Sequence, residues 1–254
     1  MKYHFKHKEV TPLVNANQPV LLTGERGSGK TTLSKDVAKI LGLDFYSLSM
    51  TRQTTLSHLM GFINVNGDYV PSHIRRAAEG GGLVLLDEID ASDPNVILCL
   101  NTIENGYLSF PDKIVDLHPN FRLMATSNPQ DNHREYNGRA KLDAATLDRF
   151  DTIDIELDQD LEKSLVDFNT YSHIELIREC LESNNSSTYI SMRDSLRYQT
   201  RKELNLLEGF VERLLKKDLM SLEKYLELKH TIPNVVSITE CTTLDEVWEF
   251  VLTQ

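Results

Sequence analysis

The chain has 254 residues, of which 40% are hydrophobic and 26% charged. This excludes a disordered chain and leaves room for one large domain, or a large one plus a small one, with a core that needs no disulfide or metal staple. Lys and Arg total 27 against 38 Asp and Glu, a formal net charge of −11, which argues against a broad basic surface for duplex DNA or an anionic membrane but leaves a local basic groove open.

Residues 1–8 lack the apolar stretch of a signal peptide. No apolar run approaches the ~18 residues of a membrane span, so a cytoplasmic setting is expected. Pro19-Val20-Leu21-Leu22 reads as a buried strand. Thr31 to Leu41 reads as a helix with Leu33, Val37, Ile40 and Leu41 on one side. Gly61 to Val70 reads as a β-hairpin around the turn signal Asn66-Gly67. Leu83-Val84-Leu85-Leu86 and Phe121 to Thr126 read as further buried strands, and Ile153 to Leu157 alternates as an edge strand does. Between them, Asp93-Pro94 starts a helix that Asn105-Gly106 ends. Strands alternating with helices predict an α/β fold with a parallel sheet.

The pattern changes near residue 160. Ile174, Ile177 and Leu181 have helical spacing, and 182–188 is a polar loop. From Ser191 to about Lys229 the chain reads as helical, with Leu204, Leu207, Val211, Leu214 and Leu215 as a stripe. A last amphipathic helix carries Leu244, Val247, Trp248 and Val251. The expected division is a base domain over 1–160 and a small helical domain over 161–254. Cys99, Cys180 and Cys241 are odd in number and far apart. They exclude a disulfide scaffold and a cysteine zinc cluster and fit a reducing compartment, and Cys99 is expected to pack as a small apolar residue.

Gly24-Glu25-Arg26-Gly27-Ser28-Gly29-Lys30-Thr31 fits GxxxxGK[ST] between a buried strand and a helix. Glycines there let backbone N–H groups turn inward on phosphate oxygens, and the helix N-terminus adds partial positive charge. Gly24, Gly27, Ser28, Gly29, Lys30, Thr31 and Thr32 are therefore the expected nucleotide-binding residues. Lys30 would reach the β- and γ-phosphates of ATP, and the Thr31 hydroxyl would ligate Mg2+.

Two strand ends complete the pattern, because ligands of open α/β sheets bind outside the carboxyl ends of the strands. Asp87 and Glu88 follow Leu83–Leu86. Asp87 would hold Mg2+, and Glu88 would polarise the attacking water as general base. Asp90 reads as a loop residue. Asn128 follows the strand 121–126, where an amide can bond both the γ-phosphate and the water; an Asn-Pro turn is the simpler alternative.

These residues together resemble the AAA+ ATPases. Gly24 to Thr31 looks like Walker A, Leu83 to Glu88 like Walker B, and Asn128 like sensor 1. The hairpin at 61–70 is placed like the helix-2 insert of the MoxR, chelatase and dynein-related branch. The stretch Tyr136 to Phe150 resembles the ATPase subunit of cobaltochelatase, and more closely the compact ATPases of that type carried by phages, which would place the chain in the host cytoplasm. The resemblance covers residues 15–157 and fades beyond them.

The resemblance implies that Arg149 is an arginine finger acting on ATP held by a neighbouring subunit. A surface pairing of Arg149 with Asp148 or Asp151 is the plain alternative, and Arg139 is a second candidate for the nucleotide role. It also implies a sensor 2 arginine near the start of a lid helix. Ser191-Met192-Arg193-Asp194 reads as a capping box, so Arg193 is the expected residue and Arg197 the alternative. A finger in trans requires a head-to-tail interface, which can close into a ring, and six subunits is the family expectation. Three outputs are consistent with this: a remodeller of a protein partner, which is favoured; a nucleic-acid motor or DNA-processing accessory; and an ATP-binding assembly scaffold. Phe62 and Tyr69 of the hairpin could contact a pore or partner, or simply pack.

Overall fold

The structure is a computed structural model that describes residues 2–129, 144–183 and 189–204. The chain forms two compact units, Tyr3–Glu156 and Leu157–Gln254.

The first unit opens with helix α1 (His7–Asn15), strand β1 (Val20–Thr23) and helix α2 (Lys30–Leu41), followed by β2 (Phe45–Ser49) and the short α3 (Leu56–Met60). A hairpin of β3 (Phe62–Ile63) and β4 (Tyr69–Val70) leads to α4 (His73–Gly80) and β5 (Gly82–Asp87). After a 3₁₀ turn at Ile89–Ala91, α5 (Pro94–Ile97) runs into a 3₁₀ segment, Leu98–Asn105. A second hairpin, β6 (Tyr107–Ser109) and β7 (Ile114–Asp116), precedes β8 (Phe121–Thr126), α6 (Ala144–Leu147) and β9 (Asp151–Asp154).

Five strands make one parallel sheet in the order β2-β5-β8-β1-β9. Alternate side chains divide between two cores, as strand geometry requires. Leu21, Val84, Leu86, Leu123 and Ala125 face α3, α4 and the second hairpin. Val20, Leu22, Leu83, Leu85, Met124 and Ile153 face α1 and α2, where Val10, Val14, Leu33 and Val37 cover them. Leu33 is fully buried, so truncating it to Ala would cost about 2–5 kcal/mol.

The expected edge strand is present as β9 and, among the described residues, pairs with β1 alone, but it runs Asp151–Asp154 and stops short of the expected 155–157. The opposite edge, β2, was not legible in the sequence. Its residues Phe45-Tyr46-Ser47-Leu48-Ser49 are half polar because an edge strand is only half covered. The hairpin at 61–70 is present, but its loop spans five residues. Asn64 Oδ1 organises it by accepting from the N–H groups of Asn66 and Asp68, both at 2.9 Å. Cys99 is half-buried against the core, and burial pushes its thiol up to about 12. Asp90, read as a loop residue, is instead 2% exposed within the 3₁₀ turn.

Arg75 ties the two hairpins together. It projects from α4 with its side chain 4% exposed. Its guanidinium lies over the rings of Tyr69 and Phe110, at 4.9 and 4.7 Å. It forks onto Asp112 at 2.7 and 3.1 Å and reaches Glu79 at 3.0 Å. Tyr69 also donates its hydroxyl to the Met60 carbonyl. Tyr69 is therefore a packing residue, whereas Phe62 is 48% exposed beside Ile63 at 50% and Val65 at 102%.

The described part of the second unit contains α7 (Gln159–Leu165), α8 (Phe168–Ser183) and α9 (Met192–Glu203). Glu162 on α7 is fully buried. Arg178 on α8 donates to both its oxygens at 2.8 Å, and Ser195 on α9 donates to Oε1. One carboxylate thus bolts three helices. The capping box at Ser191 and Asp194 is formed. Helix α9 ends at Glu203, however, and Leu204 is 62% exposed; the other members of the expected stripe, Leu207 to Leu215, lie outside the described residues. Residues 205–254, including the expected last helix, lie outside the described residues. Among the described residues no helix is long and apolar enough to cross a membrane.

Candidate active site

The loop between β1 and α2 is built on three glycines with positive φ, Gly24, Gly27 and Gly29, a backbone that can form a cradle. Gly24 has φ +148°, and a Cβ there would collide with the Ile155 carbonyl oxygen. Gly29 sits at φ +99° as the N-cap of α2. A side chain at either position is opposed by sterics. Ser28 Oγ is buried in this loop without a hydrogen-bond partner. An orphaned donor beside a helix N-terminus suits a phosphate oxygen.

Lys30 closes the cradle. Its Nζ donates to the carbonyls of Gly24 (2.6 Å) and Glu25 (2.9 Å) and lies 3.4 Å from Asn128 Oδ1. Burial pushes its ammonium down to about 8, against the opposing pull of Asp87, Asp90, Glu25 and Glu88. A phosphate entering the loop would supply counter-charge where solvent does not.

The acids lie alongside. Thr31 Oγ1 donates to Asp87 at 3.0 and 3.2 Å. A hydroxyl and a carboxylate held together are hard oxygen donors, and they fit Mg2+. Glu88 takes φ +59° and ψ +50°, a left-handed conformation that costs a non-glycine residue about 1–2 kcal/mol. Thr126, at the end of β8 and fully buried, bridges the pair. Its hydroxyl donates to Asp87 Oδ1 (2.5 Å) and accepts the Glu88 N–H (2.8 Å). Sequence reasoning did not single out Thr126. Its role depends on β5 and β8 being neighbours, with Leu86 paired to Ala125. A hydroxyl residue ending a buried strand was the available signal.

The structure therefore gathers Gly24, Gly27, Ser28, Gly29, Lys30, Thr31, Asp87, Glu88 and Asn128 at the carboxyl ends of β1, β5 and β8. Thr32 is exposed on the first turn of α2. Arg149 lies in the same unit, ahead of β9. It pairs with Glu104 at 3.5 Å, not with Asp148 or Asp151, and keeps 29% side-chain exposure. Arg193 is exposed in the first turn of α9, and Arg197 pairs with Asp194 at 3.7 Å. Arg139 lies outside the described residues.

Residues 19–150, just over half of the chain, match the AAA domain (dynein-related subfamily). The chain belongs to that family. The chain is 30% identical over 176 residues to Midasin of Giardia intestinalis, covering 65% of this chain and 4% of that protein. It is 33% identical over 132 residues to the uncharacterized protein YeaC of Bacillus subtilis (strain 168), covering 52% of this chain and 40% of that one. The chain thus spans less than half the length of either relative. The crystal structure of NtrX from Brucella abortus shares the fold, with a TM-score of 0.55 and 14% identity over 82% of this chain and 51% of that one.

Proposed function

We propose that the chain binds ATP with Mg2+ and hydrolyses it at a site completed by the next subunit of a ring. We further propose that the cycle remodels a protein partner, as the resemblance to the MoxR and chelatase branch implies. The observation that carries the first part is the convergence of Lys30, Thr31, Asp87, Glu88 and Asn128 around one glycine cradle.

In this reading the base domain is 1–160 and the helical domain 161–254 acts as a lid. Backbone N–H groups of the loop and Ser28 Oγ bind the phosphates, and Lys30 holds the β- and γ-oxygens. Thr31 and Asp87 would hold Mg2+, which when bound neutralises charge on the transferring phosphoryl group. Asn128 orients a water molecule towards the γ-phosphorus. Glu88 accepts its proton as the new P–O bond forms, and the bond to the β–γ bridging oxygen breaks to release ADP. Arg149 of one subunit serves the cradle of the next, and Arg193 serves from the lid. The exposed apolar residues of the first hairpin, Phe62, Ile63 and Val65, are the surface assigned to the protein partner.

The test is the ATPase rate per subunit against protein concentration with Mg2+ present. A specific rate that climbs steeply supports a site assembled between subunits. A flat and substantial rate from a chain that stays monomeric by mass refutes it.

A further inference from the structure

We infer that Thr126 is the positioning residue of the acid pair, and that its hydroxyl sets Asp87 and Glu88 for metal binding and water activation. The inference rests on the ATPase reading above and deepens it. Three observations support it. Thr126 is fully buried at the end of β8, so its hydroxyl cannot exchange its partners for water. That hydroxyl is used in both directions at once, donating to Asp87 Oδ1 and accepting the Glu88 N–H. Finally, Glu88 is one of two non-glycine residues with positive φ among the described residues. Its backbone conformation needs an anchor, and the bond to Thr126 provides one.

The arrangement constrains the chemistry. The hydroxyl donates to Asp87 Oδ1, which holds that oxygen as an acceptor on a carboxylate already bonded by Thr31. With Oδ1 bonded to Thr126, the carboxylate cannot rotate freely away from Thr31. With its N–H bonded to the same oxygen, Glu88 leaves the strand in a fixed direction. Thr126 touches neither nucleotide nor water in this scheme and acts through the two acids. Outer partners of metal-binding carboxylates are commonly worth about 10–100-fold in metal affinity or activity.

The test compares Thr126→Val, which keeps the shape and removes the hydroxyl, with Thr126→Ser, which keeps the hydroxyl. Two readouts are taken: affinity for a fluorescent ATP analogue across a Mg2+ titration, and kcat for ATP. Thr126→Val is expected to bind the analogue normally without Mg2+. It should need about 10–100-fold more Mg2+ for the metal-dependent tightening and lose kcat by a similar factor. Thr126→Ser should restore both. A Thr126→Val protein with the parent Mg2+ requirement overturns the inference, as does equal impairment of the Val and Ser variants. If the parent binds Mg2+ and the analogue but never turns over, the ATPase reading fails, and the Mg2+ titration still decides the role of Thr126.

Discussion

Thr31 Oγ1 lies 3.0 Å from Asp87 Oδ2 and 3.2 Å from Oδ1. The first turn of α2 and the end of β5 therefore meet side chain to side chain, although 56 positions separate the two residues in sequence. Asp87→Asn removes the charge but keeps the volume. It is expected to leave Mg2+-free nucleotide affinity unchanged and to weaken the Mg2+-dependent gain by tenfold or more, about 1.4 kcal/mol. Calorimetric titration with and without Mg2+ measures both quantities.

Lys30→Ala takes away the cation of the cradle. A hydrogen bond to a charged group is worth about 1.5–3 kcal/mol, so ATP affinity should fall by at least tenfold while the fold persists. Unchanged affinity would remove the loop from the nucleotide site. Glu88→Gln should behave oppositely, retaining binding and losing about 10²–10⁴-fold in kcat.

Arg149→Ala should keep nucleotide binding and lose about 10³–10⁵-fold in turnover. A mixture tests the trans assignment directly. Subunits carrying Lys30→Ala and subunits carrying Arg149→Ala are each inactive in this scheme, yet together they form some intact sites and should regain activity. No recovery on mixing, with assembly intact, would overturn the trans assignment, and an Arg149→Ala protein that hydrolyses normally would transfer the role to Arg139.

Arg75 gives the prediction for pH. Its side-chain hydrogen bonds are the largest cause holding Asp112 and Glu79 below the usual carboxylate range, with Lys113 assisting at Glu79. A lowered folded pKa means stability that is present above the unfolded value of about 4 and is lost as the pH falls through the folded one. Arg75→Met should therefore be less stable than the parent at neutral pH, and the gap should narrow below about pH 4. Denaturant melts at a series of pH values would detect it. A gap that stays constant with pH would mean that the stacking on Tyr69 and Phe110, not the ion pairs, carries the effect.

In the second unit, Arg178→Met strands the Glu162 carboxylate without its bidentate partner. Breaking a buried pair in this way costs about 3–5 kcal/mol, read from denaturant unfolding of the full chain. Pairing it with Glu162→Leu should recover most of the loss, because the uncompensated charge is then gone.

The phosphate loop, the acid pair and Asn128 were legible in the sequence because each is a local pattern tied to the end of an apolar run. Strand β2 was hidden by its polar edge residues, and the second hairpin by strands of three residues. The roles of Thr126, Arg75 and the Glu162–Arg178 bolt were not legible for another reason. Each draws its meaning from a partner far along the chain, and only strand order or helix packing brings the two together.

The β9 edge of the sheet has a further consequence. It is four residues long, with exposed Asp151 and Asp154 at its two ends. A short edge tipped with carboxylates is a poor template for a foreign strand. Crowded copies of this chain can meet through side chains while their backbones resist zipping into continuous cross-β stacks, so high local concentration need not lead to aggregation along this border.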